Sequence, residues 1–563
     1  MILLLFPATL QAAPTPSDAE MGRLLTQARQ ARNQSHWDEA IKGYDALLAK
    51  DGWHETALFE RAQTLGWAQR YPECVTAWRL FRERAPWRAR EADQNLAMMA
   101  SWGRKFEVAL TTLEPYAQKG ERWAILDSAK YLSWAGRYRE SLARTSTWIA
   151  AHPKDRDALL MQARVLSWDG RLRAAHGAFQ QLVAQHPDLG DARLGLAQVS
   201  LWSGRVEEAR VEVDQLPKET RETPEGKLLE GQVRLAEGRR RAALAQLTPL
   251  ARQGSPVQRD AEDLIRAAAE ANGPSVEIGQ TRTLTSEPLR MLDSSVRAKL
   301  PLGDGSIGLS HTLHRAELSG AESDAHETAA TVAYPLGPLR LSADLGRLTG
   351  LGGDPAGFHR LGLLWRLGHG AEVNLTQGRS VIVFTPQAVA QRVGIQSTDL
   401  AFTLAGFADV LRLQAGTASV SAGNRRTTWS GAYEHRWRLS PITLSAGLTS
   451  RGMGYSETLP LGFWNPRHYL FHGATGTAAF ENGRFALLVE GRWGRQVTDQ
   501  QAWTTGKGYA ANLSWGLGRS PVTLLLGWSD STSGLNAVSV TDPNTYREQS
   551  FRWGLRVAGP WRW

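Results

Sequence analysis

Arginine alternates with apolar residues in stretch after stretch of the C-terminal half of this 563-residue chain. Arg297 and Lys299, Arg360 and Arg366, Arg436 and Arg438, Arg492, Arg552 and Arg556 all follow this pattern, with Glu434 and Glu490 on the same parity as their neighbouring arginines. Beyond Ser275 the only lysines are Lys299 and Lys507. A guanidinium donates in a fixed fork to hydroxyls, carboxylates and phosphates. The set can form a polar track for a hydrophilic, even anionic, polymer, or its charges can pair with one another. Both readings stand at this point.

Bond-making chemistry finds no such support. Gly303-Asp304-Gly305-Ser306-Ile307-Gly308 fits G-x-G-x-x-G, but it reads as a hairpin turn rather than a strand-to-helix junction. His326-Glu327 lacks the second histidine of a zinc helix. No G-x-S-x-G, P-loop or EF-hand occurs, so no enzyme activity, catalytic residue, metal or cofactor is expected. The net charge of +9 permits nucleic-acid binding, but no basic cluster stands out and none is expected.

The elements that must position these cations are strands. In the last segment Phe551, Trp553, Leu555, Val557, Trp561 and Trp563 share one parity and Arg552, Arg556 and Arg562 the other. Successive side chains of a strand point to opposite faces. The same division sets Trp429, Tyr433 and Trp437 against Glu434, Arg436 and Arg438, and Phe485, Leu487, Val489 and Trp493 against Glu490 and Arg492. About sixteen such segments run from 275–285 to 547–560, with no helical stretch long enough to cover their apolar face. A lipid-facing arginine at mid-membrane costs about 2–4 kcal/mol, so the charged parity is expected to face a lumen. The expectation is an antiparallel transmembrane β-barrel over 276–563; a soluble β-sandwich is the competing reading. Thr385–Arg392 is too polar for a spanning strand and reads as a short helix in a loop or plug. No apolar run is long enough for a transmembrane helix.

The N-terminal half carries a repeat of about 34 residues over 20–271. Trp67, Trp102, Trp134, Trp168 and Trp202 mark one slot. Five residues earlier stand Ala62, Ala97, Ala129, Ala163 and Ala197, and seven later Cys74, Ala109, Ser141, Ala175 and Ala209. Small residues let two helices cross closely, glycine turns the chain, and Pro86, Pro153 and Pro187 end the unit. Seven copies predict helical hairpins stacked as a solenoid, with a capping helix over 257–271 and a linker at 272–275. The repeated tryptophan is expected to pack between neighbouring repeats; lining a groove and stacking on sugar rings is the alternative. Cys74, at a small-residue slot, is expected to be buried and inert. Residues 1–13 read as a short secretory signal cut near Ala12 or Ala13.

The period and its small-residue pattern resemble the tetratricopeptide repeat. The alternation ending on Trp563 resembles the C-terminal strand of bacterial outer-membrane barrels, which implies recognition by the barrel assembly machinery. A repeat solenoid followed by such a barrel is similar to the exopolysaccharide secretion porins, such as the cellulose synthase operon outer-membrane subunit and the poly-N-acetylglucosamine export porin. Gly462-Phe463-Trp464-Asn465-Pro466-Arg467-His468-Tyr469-Leu470 is similar to a barrel segment of the cellulose subunit. YaiO-type outer-membrane barrels look related as well. The resemblance implies an outer-membrane porin that exports an exopolysaccharide, with its repeats in the periplasm recruiting synthesis or modification proteins. It implies membrane lipid and a hydrophilic polysaccharide as partners. The alternative is a non-conducting anchored scaffold or adsorption receptor.

Overall fold

The structure, a computed structural model, describes residues 16–252, 254–439, 441–518, 520–532 and 546–559. The expected leader and the last four residues, Trp561 and Trp563 included, lie outside the described residues. A helical repeat region is followed by a closed sixteen-stranded antiparallel barrel. The chain packs as two compact units, Met1–Trp168 and Asp169–Trp563.

The first unit holds α1 (Pro16–Asn33), α2 (Trp37–Lys50), α3 (Glu55–Trp67), α4 (Tyr71–Arg84), α5 (Ala89–Trp102), α6 (Phe106–Gln118), α7 (Arg122–Trp134), α8 (Tyr138–Ala151) and α9 (Arg156–Trp168). The repeated tryptophan is the last residue of α3, α5, α7 and α9. Two residues later the chain turns left-handed. Gly136 and Gly170 do so freely, at φ 76°, whereas Gln69 and Arg104 occupy the same slot at φ 58° against the usual side-chain penalty. The expected crossings are present. Ala62, Ala129 and Ala163 are fully buried, as are Cys74, Ala109 and Ser141 on the second helices. Ser141 Oγ donates to Ala129 O at 2.6 Å and Cys74 Sγ reaches Ala62 O at 3.2 Å, so the small side chains also tie the pair of helices together. Burial pushes the Cys74 thiol up to about 12, so it stays protonated.

Trp67, Trp102, Trp134 and Trp168 bury just over half of their surface and keep 40–47% exposed. The Trp67 ring packs 6.0 Å from Trp37 of α2 and the Trp134 ring 5.6 Å from Tyr131. At the last position of a helix the ring emerges from the hairpin edge rather than entering it.

Ionic contacts also join neighbouring hairpins. Asp155, at the start of α9, accepts from Arg122 Nε and Nη2 at 2.8 Å, from Trp148 Nε1 at 2.7 Å and from the Ala158 amide at 3.2 Å. The Arg122 bond holds the Asp155 carboxyl well below the usual carboxylate range.

The second unit continues with α10 (Leu172–Gln185), α11 (Gly190–Trp202), α12 (Val206–Asp214), the single turn α13 (Lys218–Arg221), α14 (Pro224–Ala236), α15 (Arg240–Leu247) and α16 (Gln258–Asn272). Gly231, in the small-residue slot of α14, leaves no room for a Cβ, which would lie 2.6 Å from Leu247 Cδ2.

From Ser275 the strands run β1 (Ser275–Thr285), β2 (Leu289–Leu302), β3 (Gly305–Leu318), β4 (Ala321–Leu336), β5 (Leu339–Thr349), β6 (Ala356–Gly368), β7 (Ala371–Val381), β8 (Gly394–Ala405), β9 (Asp409–Val420), β10 (Arg425–Leu439), β11 (Ile442–Tyr455), β12 (Tyr469–Asn482), β13 (Phe485–Thr498), β14 (Thr504–Gly516), β15 (Val522–Ser531) and β16 (Glu548–Ala558), with α17 (Pro386–Ala390) between β7 and β8. Each strand pairs with its sequence neighbours, and β1 pairs β16 from Ser275↔Ala558 to Thr285↔Glu548, so no edge remains. β4 begins at Ala321, ahead of the alternating apolar stretch that marks it in sequence. Its polar start, Glu322-Ser323-Asp324, pairs with the end of β3, where hydropathy carries no strand signal.

Ala163→Leu should overpack the α9 crossing and cost about 1–3 kcal/mol; the helical circular-dichroism transition of the full-length protein checks it, and an unchanged midpoint would refute the contact. Asp155→Asn should cost about 1–3 kcal/mol at neutral pH. Since the folded-state pKa of Asp155 lies below its unfolded value, its stabilisation is complete above about pH 4 and is lost as pH falls through the folded value. The difference in melting temperature between wild type and variant should therefore close on acidification.

Candidate functional site

Register divides the barrel wall into two faces. Leu309, Leu345, Leu448 and Trp493 are 58–68% exposed on the outer parity, and Tyr334, Trp365, Trp437 and Trp515 stand near strand ends on the repeat-side rim. A closed barrel with an exposed apolar belt and aromatic residues near strand ends fits lipid, because every backbone group is paired within the sheet.

The eleven charged residues singled out in sequence all fall on the opposite, inner parity, but they do not form a run of free cations. Arg552 Nη2 and Arg556 Nη2 both reach Glu277 across the β16–β1 closure, at 3.2 and 2.8 Å. Arg360 lies 3.6 Å from Asp344 and Arg366 3.3 Å from Glu372. Glu434 pairs with Arg412 at 2.9 Å rather than with Arg436 or Arg438. Arg492 donates to Ser531 Oγ at 3.3 Å. Glu434, Glu490, Arg492 and Glu548 together line a cavity of about 420 Å³. Arg297 sits on β2 opposite Glu277 of β1. Mutual pairing thus accounts for much of the inner charge, and carboxylates are interleaved with the arginines. Sequence reasoning missed Glu277, Asp344, Glu372 and Arg412. Glu277 between Val276 and Ile278, and Arg412 between Leu411 and Leu413, carry the same alternation that revealed the others.

The barrel rim on the side where β1 starts is held by the repeats of the same unit. Lys299 Nζ donates to Ala271 O at 2.6 Å and Arg366 Nη1 to Ala236 O at 2.8 Å, so two inner-face cations cap the C-terminal ends of α16 and α14. Cations there meet the negative end of a helix dipole. Arg240 Nη2 donates to Gly303 O at 2.7 Å, and the Arg241 amide to Asp304 Oδ1 at 2.7 Å, in the β2–β3 turn. His369 of the β6–β7 turn meets Glu208 at 2.5 Å, and Arg173 meets Asp409 at 3.2 Å. Phe407 of the β8–β9 turn lies beneath His176 and Arg205. Gly170 packs on the Arg438 backbone, where a Cβ would lie 3.1 Å from its carbonyl oxygen. Burial raises the Glu237 carboxyl above its usual range, although Arg210 and Arg239 stand beside it.

The opposite rim is narrowed from within. α17 buries Val389 with Ala325, Ala329, Leu348 and Phe358, all on the inner parity of β4, β5 and β6, and Ala388 with Val420, Tyr455, Leu461 and Phe463. Gln387 and Gln391 each donate to Pro460 O at 3.2 Å, joining α17 to the β11–β12 loop. That loop is ordered by Asn465, whose amide donates to Leu459 O and Phe463 O and whose oxygen accepts from the Leu459 amide. Trp464 packs with Tyr469, Phe471 and Tyr546. The helix expected over 385–392 exists, and it lies in the barrel mouth.

Residues 169–233 match the tetratricopeptide-repeat family. No curated protein matches the chain. Among solved structures it is similar to a bacterial polysaccharide outer membrane secretin, at 10% identity over 51% of this chain and 99% of that one, with a TM-score of 0.43. It is also similar to a tetratricopeptide repeat protein from Parabacteroides merdae, at 14% identity over 44% of this chain and 99% of that one, TM-score 0.37. OccK5 of Pseudomonas aeruginosa aligns at 9% identity over 51% of this chain and 97% of that one, TM-score 0.29.

Lys299→Gln with Arg366→Gln should free the ends of α16 and α14. Hydrogen exchange should speed there by about tenfold or more, since each charge-assisted bond contributes about 1.5–3 kcal/mol. Heat-modifiable migration on gels should show the barrel still closed.

Proposed function

We propose that this protein is an outer-membrane channel that exports a hydrophilic exopolysaccharide. Its repeats stand in the periplasm, hold the inner mouth and recruit proteins that make or modify the polymer. The observation that carries this reading is the docking of tetratricopeptide repeats on one rim of a closed barrel whose inner face carries arginines and carboxylates on many of its strands. Sixteen strands enclose an aqueous space rather than a packed core. Inner-face arginines paired loosely to carboxylates can trade those partners for polymer hydroxyls or acids without leaving a charge unsatisfied. Export needs no chemistry from the barrel itself.

A second reading, a non-conducting scaffold or adsorption receptor anchored by its barrel, draws support from α17 and the 456–468 loop. Both fold into the mouth opposite the repeats. For export they must act as a constriction that yields; for a scaffold they are a fixed plug.

Replacing Arg436, Arg492 and Arg552 together by Gln should lower polymer secretion and shift the ion selectivity of the channel away from anions, because the fixed positive charge attracts them. Heat-modifiable migration confirms folding. Replacing 385–392 by a short Gly/Ser turn should raise single-channel conductance. Wild-type secretion in a folded triple variant, with no conductance from either form, would favour the scaffold.

A further inference from the structure

The first unit carries a periodic set of tryptophans that packing explains only in part. Trp67, Trp102, Trp134 and Trp168 recur at the ends of α3, α5, α7 and α9, each 40–47% exposed, while α1 ends on Asn33. Packing alone would bury them. A large apolar ring held half in water at a fixed period is a surface arranged for something outside the chain.

The neighbours of the rings narrow the chemistry. One turn earlier on the same helix face stand Gln63, Lys130 and Arg164, with Met98 the exception. Lys130 Nζ lies 5.7 Å from the Trp134 ring centre and pairs with Asp127 at 2.7 Å, so a charged donor borders that ring. Three residues after Trp67 and Trp134 come Arg70 and Arg137. Arg70 pairs with Glu73 and with Asp38 of the preceding repeat, and Arg137 with Glu140 and Glu107. The Trp67 and Trp134 repeats thus each offer a half-exposed ring bordered by donors and acceptors, with Arg32 also lying 5.8 Å from the Trp67 ring centre. Ser101, Ser133 and Ser167, directly before their tryptophans, fold their hydroxyls back onto Met98, Lys130 and Arg164 carbonyls, so the helix beside each ring stays low.

We propose that this row is a carbohydrate-binding ladder, in which each ring stacks on a pyranose of a polysaccharide and the flanking Gln, Lys and Arg groups bond its hydroxyls. A pyranose presents the matching surface, an apolar C–H face with a polar rim. A polymer with its own repeat suits a surface that repeats. A peptide docked by its side chains fits less well, since it needs a continuous apolar groove and the rings are separated by charged pairs. The proposal rests on the export reading and deepens it: the repeats themselves would bind the polymer that the barrel exports. Trp202, in the second unit, has the same local arrangement, with Gln198 one turn before it and an exposure of 44%.

The test uses the full-length protein in detergent and reads tryptophan fluorescence while cellohexaose, the N-acetylglucosamine hexamer, its deacetylated form or a proline-rich peptide is titrated. Binding of at least one oligosaccharide is expected. Trp67→Leu, Trp102→Leu and Trp134→Leu combined should weaken it by at least about tenfold, the scale of lost aromatic stacking. A second variant, Gln63→Met with Lys130→Met, keeps every ring and should also weaken binding, so the result does not depend on the tryptophan variant folding. Unchanged affinity in both folded variants overturns the ladder. So does failure of the wild type to bind any oligosaccharide while cells lacking the protein fail to secrete polymer, an outcome that leaves export standing. Binding of the peptide alone overturns it in favour of a protein partner. Sugar binding by a protein that cells do not need for secretion keeps the ladder and removes the export reading.

Discussion

Everything in the C-terminal half depends on one pairing, β1 with β16. In lipid an unpaired strand edge would leave a column of amides and carbonyls without partners, each at a cost of several kcal/mol. The pairing from Ser275↔Ala558 to Thr285↔Glu548 removes that edge. Its inner face is drawn together by Glu277, which receives both Arg552 and Arg556. Once the ring closes, parity is obligatory: a residue faces lipid or lumen, and the arginines have only one acceptable side. The charged interior is as much a consequence of closure as a device added to it.

This explains what was legible in the chain. Alternation is local, so Trp429, Tyr433 and Trp437 against Arg436 and Arg438 revealed the faces before any fold was known. The number of strands, the turn at Gly303 and the short helix near Pro386 follow from neighbours within a few residues. Partnership is not local. Glu277 and Arg556 are 279 positions apart, and Arg412 claims Glu434 only because β9 and β10 lie side by side. The same limit hid the rim contacts. Lys299 and Arg366 look like any other inner-face cation; that they cap helix ends is visible only once those ends arrive.

The repeats show a different limit. Small residues at two slots dictated close helix crossings, and Ala62, Ala129 and Ala163 are buried accordingly. The tryptophan slot has the same periodicity, yet period alone does not tell which way a ring turns. A residue at the last position of a helix has lost the next turn that would cover it, and half of each ring remains in water. Periodicity identifies what a repeat needs in common, whether that is a core or a surface.

The helix α16 ties two distant parts of the ring. Ala271 O receives Lys299 of β2, and Glu270 lies 3.6 Å from Arg484 at the start of β13. Around the wall these strands stand on either side of the closure, with β14, β15, β16 and β1 between them. In time they are further apart still, since β2 emerges early in synthesis and β13 late. The helix that precedes the barrel in the chain therefore cannot take its final seat until the barrel is nearly finished. Assembly has an order written into it: the sheet first, then the clasp, and only afterwards a protein whose two halves act together.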